Sequence, residues 1–254
     1  MNLAAPALHE KLWHTLRGDL VRYAPQIADD DRLMCCCCGR FLPKSDFDLE
    51  HIIPQAAVAD DPPEVRQLFT VNERSKNLLL CKRKLTVKGI SVHPKGCNNW
   101  KGKFFDTRIR EVMNGSAMGK DNHRPFSSQH SAAMMVLAYL ALVHRYGYQI
   151  ALTPSGLLMR RQFFSPGQLL SELSGWPWGA MLSGQPFSYD QRNLNIWTTP
   201  FSFTLKPGHC IICIRHVSMF VPLSRNPEVP IVSHIKIAPD RFTFKPNFRT
   251  AFEA

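Results

Sequence analysis

Between residues 35 and 101 the chain sets out Cys35-x-x-Cys38 followed by Gly39, then Glu50-His51-Ile52-Ile53-Pro54, Asn77-Leu78, Cys81, and Cys97-Asn98-x-x-Lys101. The cysteines constrain the fold most, because thiolates that share one ion must meet within a few ångströms. A Cys-x-x-Cys turn offers two thiolates to one ion at about 2.3 Å, and Cys81 and Cys97 would complete a closed, tetrahedral zinc site. Fifteen residues separate that second pair, so Lys82–Gly96 is expected to be a loop or hairpin inserted into the second knuckle. Cys36 and Cys37 offer alternative registers, and His93 could replace a cysteine. The competing reading is a set of merely buried or redox-active thiols.

Composition narrows the class. Eight cysteines, four of them consecutive at 35–38, make no sense as a secreted disulfide framework and suit a reducing compartment. Residues 1–10 lack the order of a secretion signal. The longest apolar run, Ala132–Val143, has 12 residues, too few to cross about 30 Å of hydrocarbon as a helix. A soluble, cytoplasmic protein with no membrane partner is expected.

The net charge of +11 is unevenly spread. Residues 1–70 carry 7 basic and 11 acidic side chains, whereas residues 71–120 carry 12 basic and 3 acidic. The most basic segment therefore closes the motif. Cations concentrated there suit a polyanionic backbone, because phosphate contacts release condensed counterions. A solvated surface loop is the plainer explanation.

Hydrophobic spacing places the elements. Residues 7–22 read as an N-terminal helix, Phe47–Ile53 and Asn77–Leu80 as short strands, Glu64–Phe69 as a short helix, and Asn98–Met113 as a helix with Phe104, Phe105, Ile109 and Val112 facing inward. After a linker near Gly119–Pro125, Ala132–Val143 reads as a buried helix, apolar all round and ending at Gly147. Residues 175–201, rich in Gly, Pro and aromatics, permit no regular assignment. Cys210–Val221, Ile231–Ile237 and Phe242–Phe244 read as strands. His209-Cys210-x-x-Cys213-x-x-His216 invites a second metal reading, but residues 210 and 213 would face opposite sides of a strand, so a core strand with two free cysteines is expected. Trp176, Trp178, Phe187, Tyr189, Trp197 and Phe201 are expected to pack an irregular core rather than stack on bases.

Glu50-His51 gains meaning from its company. A histidine with a pKa near about 6.5 can take a proton from water at neutral pH, and a neighbouring carboxylate can hold a hard cation. Neighbouring residues of a strand point to opposite faces, so both serve one site only if the strand ends there, as Pro54 permits. The ordered set across about residues 33–113 resembles the HNH endonuclease family with its ββα-metal fold.

That resemblance implies an α+β chain: an N-terminal helical segment (1–32), a ββα-metal nuclease core (33–118) and a C-terminal α+β accessory or recognition region (119–254). It also implies that His51 is the general base, Glu50 and Asn98 hold the catalytic ion, Asn77 orients the base, and Lys101 contacts phosphate. Glu in place of the usual Asp, with Asn in the last position, makes the site oxygen-rich and favours magnesium or manganese. The zinc would do no chemistry. The expected activity is hydrolysis of DNA phosphodiester bonds, with a bacterial defence system as one setting and a protein partner or activator at residues 119–254. The alternative is a zinc-stabilised nucleic-acid-binding module without cleavage.

Overall fold

The computed structural model describes residues 5–87, 90–93, 96–117, 127–174, 182–183, 186–206 and 209–222. Helix α1 (Ala5–Tyr23) buries Trp13, Leu16 and Leu20, the apolar positions its spacing predicts. Two short hairpin arms, β1 (Leu33–Met34) and β2 (Phe41–Leu42), pair antiparallel and bracket the consecutive cysteines. Strand β3 (Phe47–His51) ends at His51, two residues sooner than its apolar pattern suggests, because Ile52 and Ile53 donate instead to the carbonyls of Lys76 and Ser75.

Three short helices follow: α2 (Gln55–Ala59), α3 (Pro63–Leu68) and α4 (Val71–Ser75). Thr70 and Glu73 form a reciprocal capping box that starts α4. Strand β4 (Asn77–Cys81) pairs antiparallel with β3, placing His51 opposite Asn77 and Glu50 opposite Leu78. All five of its residues are buried. The inserted segment forms a hairpin of β5 (Leu85–Val87) and β6 (Ile90–His93).

The expected helix over 98–113 is two helices, α5 (Cys97–Phe104) and α6 (Asp106–Met113). The break falls at Phe105, whose backbone leaves helical geometry at φ −120° while its ring is fully buried, 5.8 Å from that of Phe163. Phe105, Ile109 and Val112 face inward as predicted, and Phe104 is half-buried.

Helix α7 (Ser128–Tyr146) is buried along the whole of Ala132–Val143 and ends at Gly147, where φ is +69°. Helices α8 (Tyr148–Ala151), α9 (Pro154–Phe163) and α10 (Ser171–Ser174) follow. A four-stranded antiparallel sheet has the order β7 (Leu182–Ser183), β10 (Val217–Pro222), β9 (His209–Ile214), β8 (Phe201–Lys206), with helix α11 (Asn195–Thr198) before β8. The single strand expected over 210–221 is thus a hairpin. It turns at Arg215-His216 with Arg215 at φ +53°, a left-handed position usually marked by Gly or Asn. In β9, Cys210, Ile212 and Ile214 are buried and Cys213 lies on the other face, so this is the core strand its alternation suggests. The strands expected at Ile231–Ile237 and Phe242–Phe244, together with Trp176 and Trp178, lie outside the described residues. One buried cluster includes Leu20, Phe47, Leu80, Leu137 and Ile212, so the three sequence segments share a core. No helix among the described residues is long and apolar enough to cross a membrane.

Candidate metal centre and the histidine beside it

The first knuckle follows from one glycine and two backbone bonds. Cys35 N donates to Arg40 O (2.8 Å) and Gly39 N donates to Cys35 O (2.8 Å), folding the cysteine run into a tight turn. Gly39 sits at φ +72°, and a side chain there would also meet the Arg160 guanidinium. Helices α7 and α9 hold the turn from behind: Tyr139 Oη donates to Cys36 O (2.6 Å) and Arg160 Nε donates to Cys37 O (3.2 Å). The Tyr148 hydroxyl donates to Met34 O.

The second knuckle joins the end of β4 to the start of α5. Gly96, at φ +86°, lets the returning chain lie directly on Cys81–Arg83; a Cβ there would sit 2.4 Å from Arg83 O and 2.5 Å from Cys81 O. This close crossing shuts the β5–β6 insertion at its base and brings Cys97 back to Cys81. The sulfurs of Cys35, Cys38, Cys81 and Cys97 all lie within 4.8 Å of one another, with Cys38–Cys81 and Cys81–Cys97 at 3.5 Å. A tetrahedral ion with metal–sulfur bonds of about 2.3 Å needs sulfurs about 3.8 Å apart, so the donor set fits a metal ion. Cys36 and Cys37 stay outside this cluster, which settles the register as Cys35 with Cys38. The His93 side chain lies outside the described residues. Arg40 lies against the sulfurs, with Nη2 3.2 Å from Cys81 Sγ and Nε 3.4 Å from Cys38 Sγ.

The hard half of the motif is divided between two faces of β3. On one face Glu50, 7% exposed, meets Lys101 from α5 at 2.6 Å. Lys101 is fully buried, and its ammonium also donates to Asp106 Oδ1 (2.7 Å) and to His51 O (3.0 Å). Three hydrogens thereby have three acceptors. Lys101, which the resemblance places against phosphate, is instead an internal counterion. Burial works against its charge, but Glu50 and Asp106 outweigh that and hold it above the usual lysine range. Burial pushes the Glu50 carboxyl up, with Lys101 opposing. Asn98 lies one turn before Lys101 on α5 and donates through Nδ2 to Leu49 O (3.3 Å), beside Glu50 on the strand. The long insertion therefore leaves Asn98 against β3.

On the other face His51 Nε2 bonds Asn72 Oδ1 (3.1 Å), and Gln55 Nε2 approaches His51 Nδ1 (3.2 Å). With Nε2–H donating to Asn72 Oδ1, the Nδ1 lone pair accepts from the Gln55 amide, which has to turn aside before Nδ1 takes a proton from water. Burial lowers the His51 pKa below its ordinary value, so the ring is neutral at neutral pH. Asn77, expected to orient the base, reaches Asn72 O through Nδ2 at 3.4 Å, while its Oδ1 is buried with no partner among the described residues. Asn72 is thus the direct holder of His51, and Asp106 the second anchor of Lys101. No motif position pointed to either.

Between α4 and β4 stands Lys76 at φ 55°, ψ 160°. That region suits glycine, and another residue there costs on the order of 1–3 kcal/mol. Its N–H donates to Asn72 O (3.1 Å) and its carbonyl accepts from Ile52 N (3.0 Å), so both ends of the strained residue are pinned.

Comparison with protein-family models, with curated proteins and with solved structures finds no match.

Proposed function

We propose that the chain is a metal-dependent endonuclease that hydrolyses phosphodiester bonds of DNA with His51 as general base. The observation that carries this reading is the neutral, half-buried His51, held by Asn72 at 3.1 Å at the end of β3, with Glu50 on the opposite face of that strand. A neutral imidazole can accept a water proton, a contribution of about 10²–10⁴-fold in rate. Glu50 and Asn98 are the oxygen donors suited to a magnesium or manganese ion, which when bound would neutralise charge on the phosphate. The four cysteines are read as a zinc site that ties β4, α5 and the first knuckle together without taking part in chemistry.

Nicking of supercoiled plasmid tests the enzyme. Wild type with magnesium or manganese should nick, EDTA should stop it, and His51→Ala should slow it at least 100-fold. Nicking that survives His51→Ala would sink the mechanism. Cys81→Ala tests the other half. It should drop zinc from about one per chain and lower the thermal midpoint by more than ten degrees, since structural zinc supplies about 10 kcal/mol or more in small domains. Undiminished zinc in that variant would refute the four-cysteine assignment.

One observation favours a second reading, a binding module without cleavage. Lys101 occupies Glu50 at 2.6 Å, and an ammonium can stand where a metal would. Wild type that binds DNA yet fails to nick it whichever metal ion is added would decide for it.

A further inference from the structure

Two cavities meet at Lys76 and His144. The first, about 440 Å³, lies between α1 and the α4–β4 turn and is lined by Lys11, Asn72, Asn77 and a row of leucines. The second, about 390 Å³, continues past Arg145 and Tyr146 to Phe201 and Phe203 of β8. Each alone is the size of a ligand site. Together their linings carry three cations, Lys11, Lys76 and Arg145, against one carboxylate, Glu73. That carboxylate is occupied by the Thr70 cap at 2.8 Å.

Three features point to a ligand. Lys76 holds a backbone conformation that glycine would take without strain, so the side chain at this point has a use that the turn does not supply. Its ammonium makes no ion pair at contact distance among the described residues, and Glu73 acts on it from farther away. Asn77 lines the first cavity, and its Oδ1 is buried without a donor among the described residues. At the far end Tyr146 and Phe203 stand edge to face at 5.6 Å and offer aromatic surface. Asn72, which holds His51, forms part of the wall, so one side chain separates the first cavity's lining from the proposed general base.

We propose that the two cavities form one groove for a nucleic-acid strand, in which Lys76 grips a backbone phosphate and Tyr146 and Phe203 provide surface for a base. Cations that track a backbone beside aromatic platforms are the chemistry that binds single strands. This inference rests on the nucleic-acid reading above, but it concerns binding through residues outside the cysteine and histidine motif.

The test uses the full chain carrying His51→Ala, without added magnesium or manganese, so that failure of cleavage and failure of the groove are separate results. Fluorescence anisotropy of a labelled single-stranded oligonucleotide is measured against salt, alongside a thermal melt. Lys76→Gly in that background should weaken binding about tenfold and flatten the salt dependence by about one phosphate contact, while the melt stays level or rises because strain is relieved. Arg145→Ala should weaken binding several-fold. Binding within twofold of the parent in Lys76→Gly, or a loss that only accompanies a lower melting temperature, overturns the proposal. A free mononucleotide that binds as tightly as the oligonucleotide also overturns it, since the groove would then be a nucleotide pocket.

Discussion

Two buried ion triads of opposite sign lie in this molecule. At Lys101 one ammonium stands between two carboxylates, Glu50 at 2.6 Å and Asp106 at 2.7 Å. At Asp61 one carboxylate stands between two guanidiniums, Arg74 and Arg215, each at 2.5 Å. In the second triad each guanidinium has further contacts, although Arg215 Nε is buried without a hydrogen-bond partner among the described residues. Arg74 also donates to Val58 O (2.5 Å) and Phe69 O (3.2 Å), while Arg215 lies 4.9 Å over the Trp197 ring. It fastens the β9–β10 turn to α4 and the loop before α3. The first triad carries one negative charge too many, and burial answers by raising the Glu50 pKa. Burial penalises both surpluses, raising the Glu50 pKa and lowering that of Arg215, so the triads differ in sign and not in strain.

Between the two triads the largest expected effect comes from removing the shared carboxylate. Asp61→Ala leaves two guanidiniums buried without their partner and should cost about 3–5 kcal/mol in urea unfolding. A loss under about 1 kcal/mol would mean that the triad does not fasten the two regions. Lys101→Met should cost about 3 kcal/mol in metal-free buffer. Millimolar magnesium or manganese should return about 2–3 kcal/mol of that, as a ligand at a hundred times its Kd does, and should return nothing to Asp61→Ala. Equal response of both variants to metal would erase the contrast. The smallest effect lies at His216, which burial, with Arg215 adding to it, holds below the ordinary histidine range. A depressed histidine pKa means that the unfolded chain binds the proton first. Its contribution is therefore present above about pH 6.5 and fades as pH falls toward the folded value. Between pH 7 and pH 5 wild type should lose about 1 kcal/mol more than His216→Gln, measured by denaturant unfolding at each pH.

These triads also mark where sequence reading stops. The first knuckle was legible because local geometry sets it, a two-residue spacing at Cys35 and Cys38, whereas the second carried no such spacing and its closing glycine, Gly96, was not read. The all-round apolar run of α7 was legible for a similar reason, since composition alone demands burial on every side. The partners of the motif were not. Asn72 lies 21 residues from His51, and Arg215 lies 154 residues from Asp61, so neither spacing carries a signal. Asp106 is five residues beyond Lys101, off the helical period, and meets it only because the helix breaks at Phe105. The turn at Arg215 was missed because no Gly or Asn marks it.

The close crossing at Gly96 has a consequence for how such a chain can change over time. The stem of the β5–β6 hairpin is shut by backbone contact and by Cys81 and Cys97, so its two ends are held together whatever the length of chain between them. Doubling a closed loop costs only about 0.6 kcal/mol of chain entropy. The hairpin is therefore a port: foreign sequence could be grafted there, by mutation or by design, while Asn98 and Lys101 keep their places.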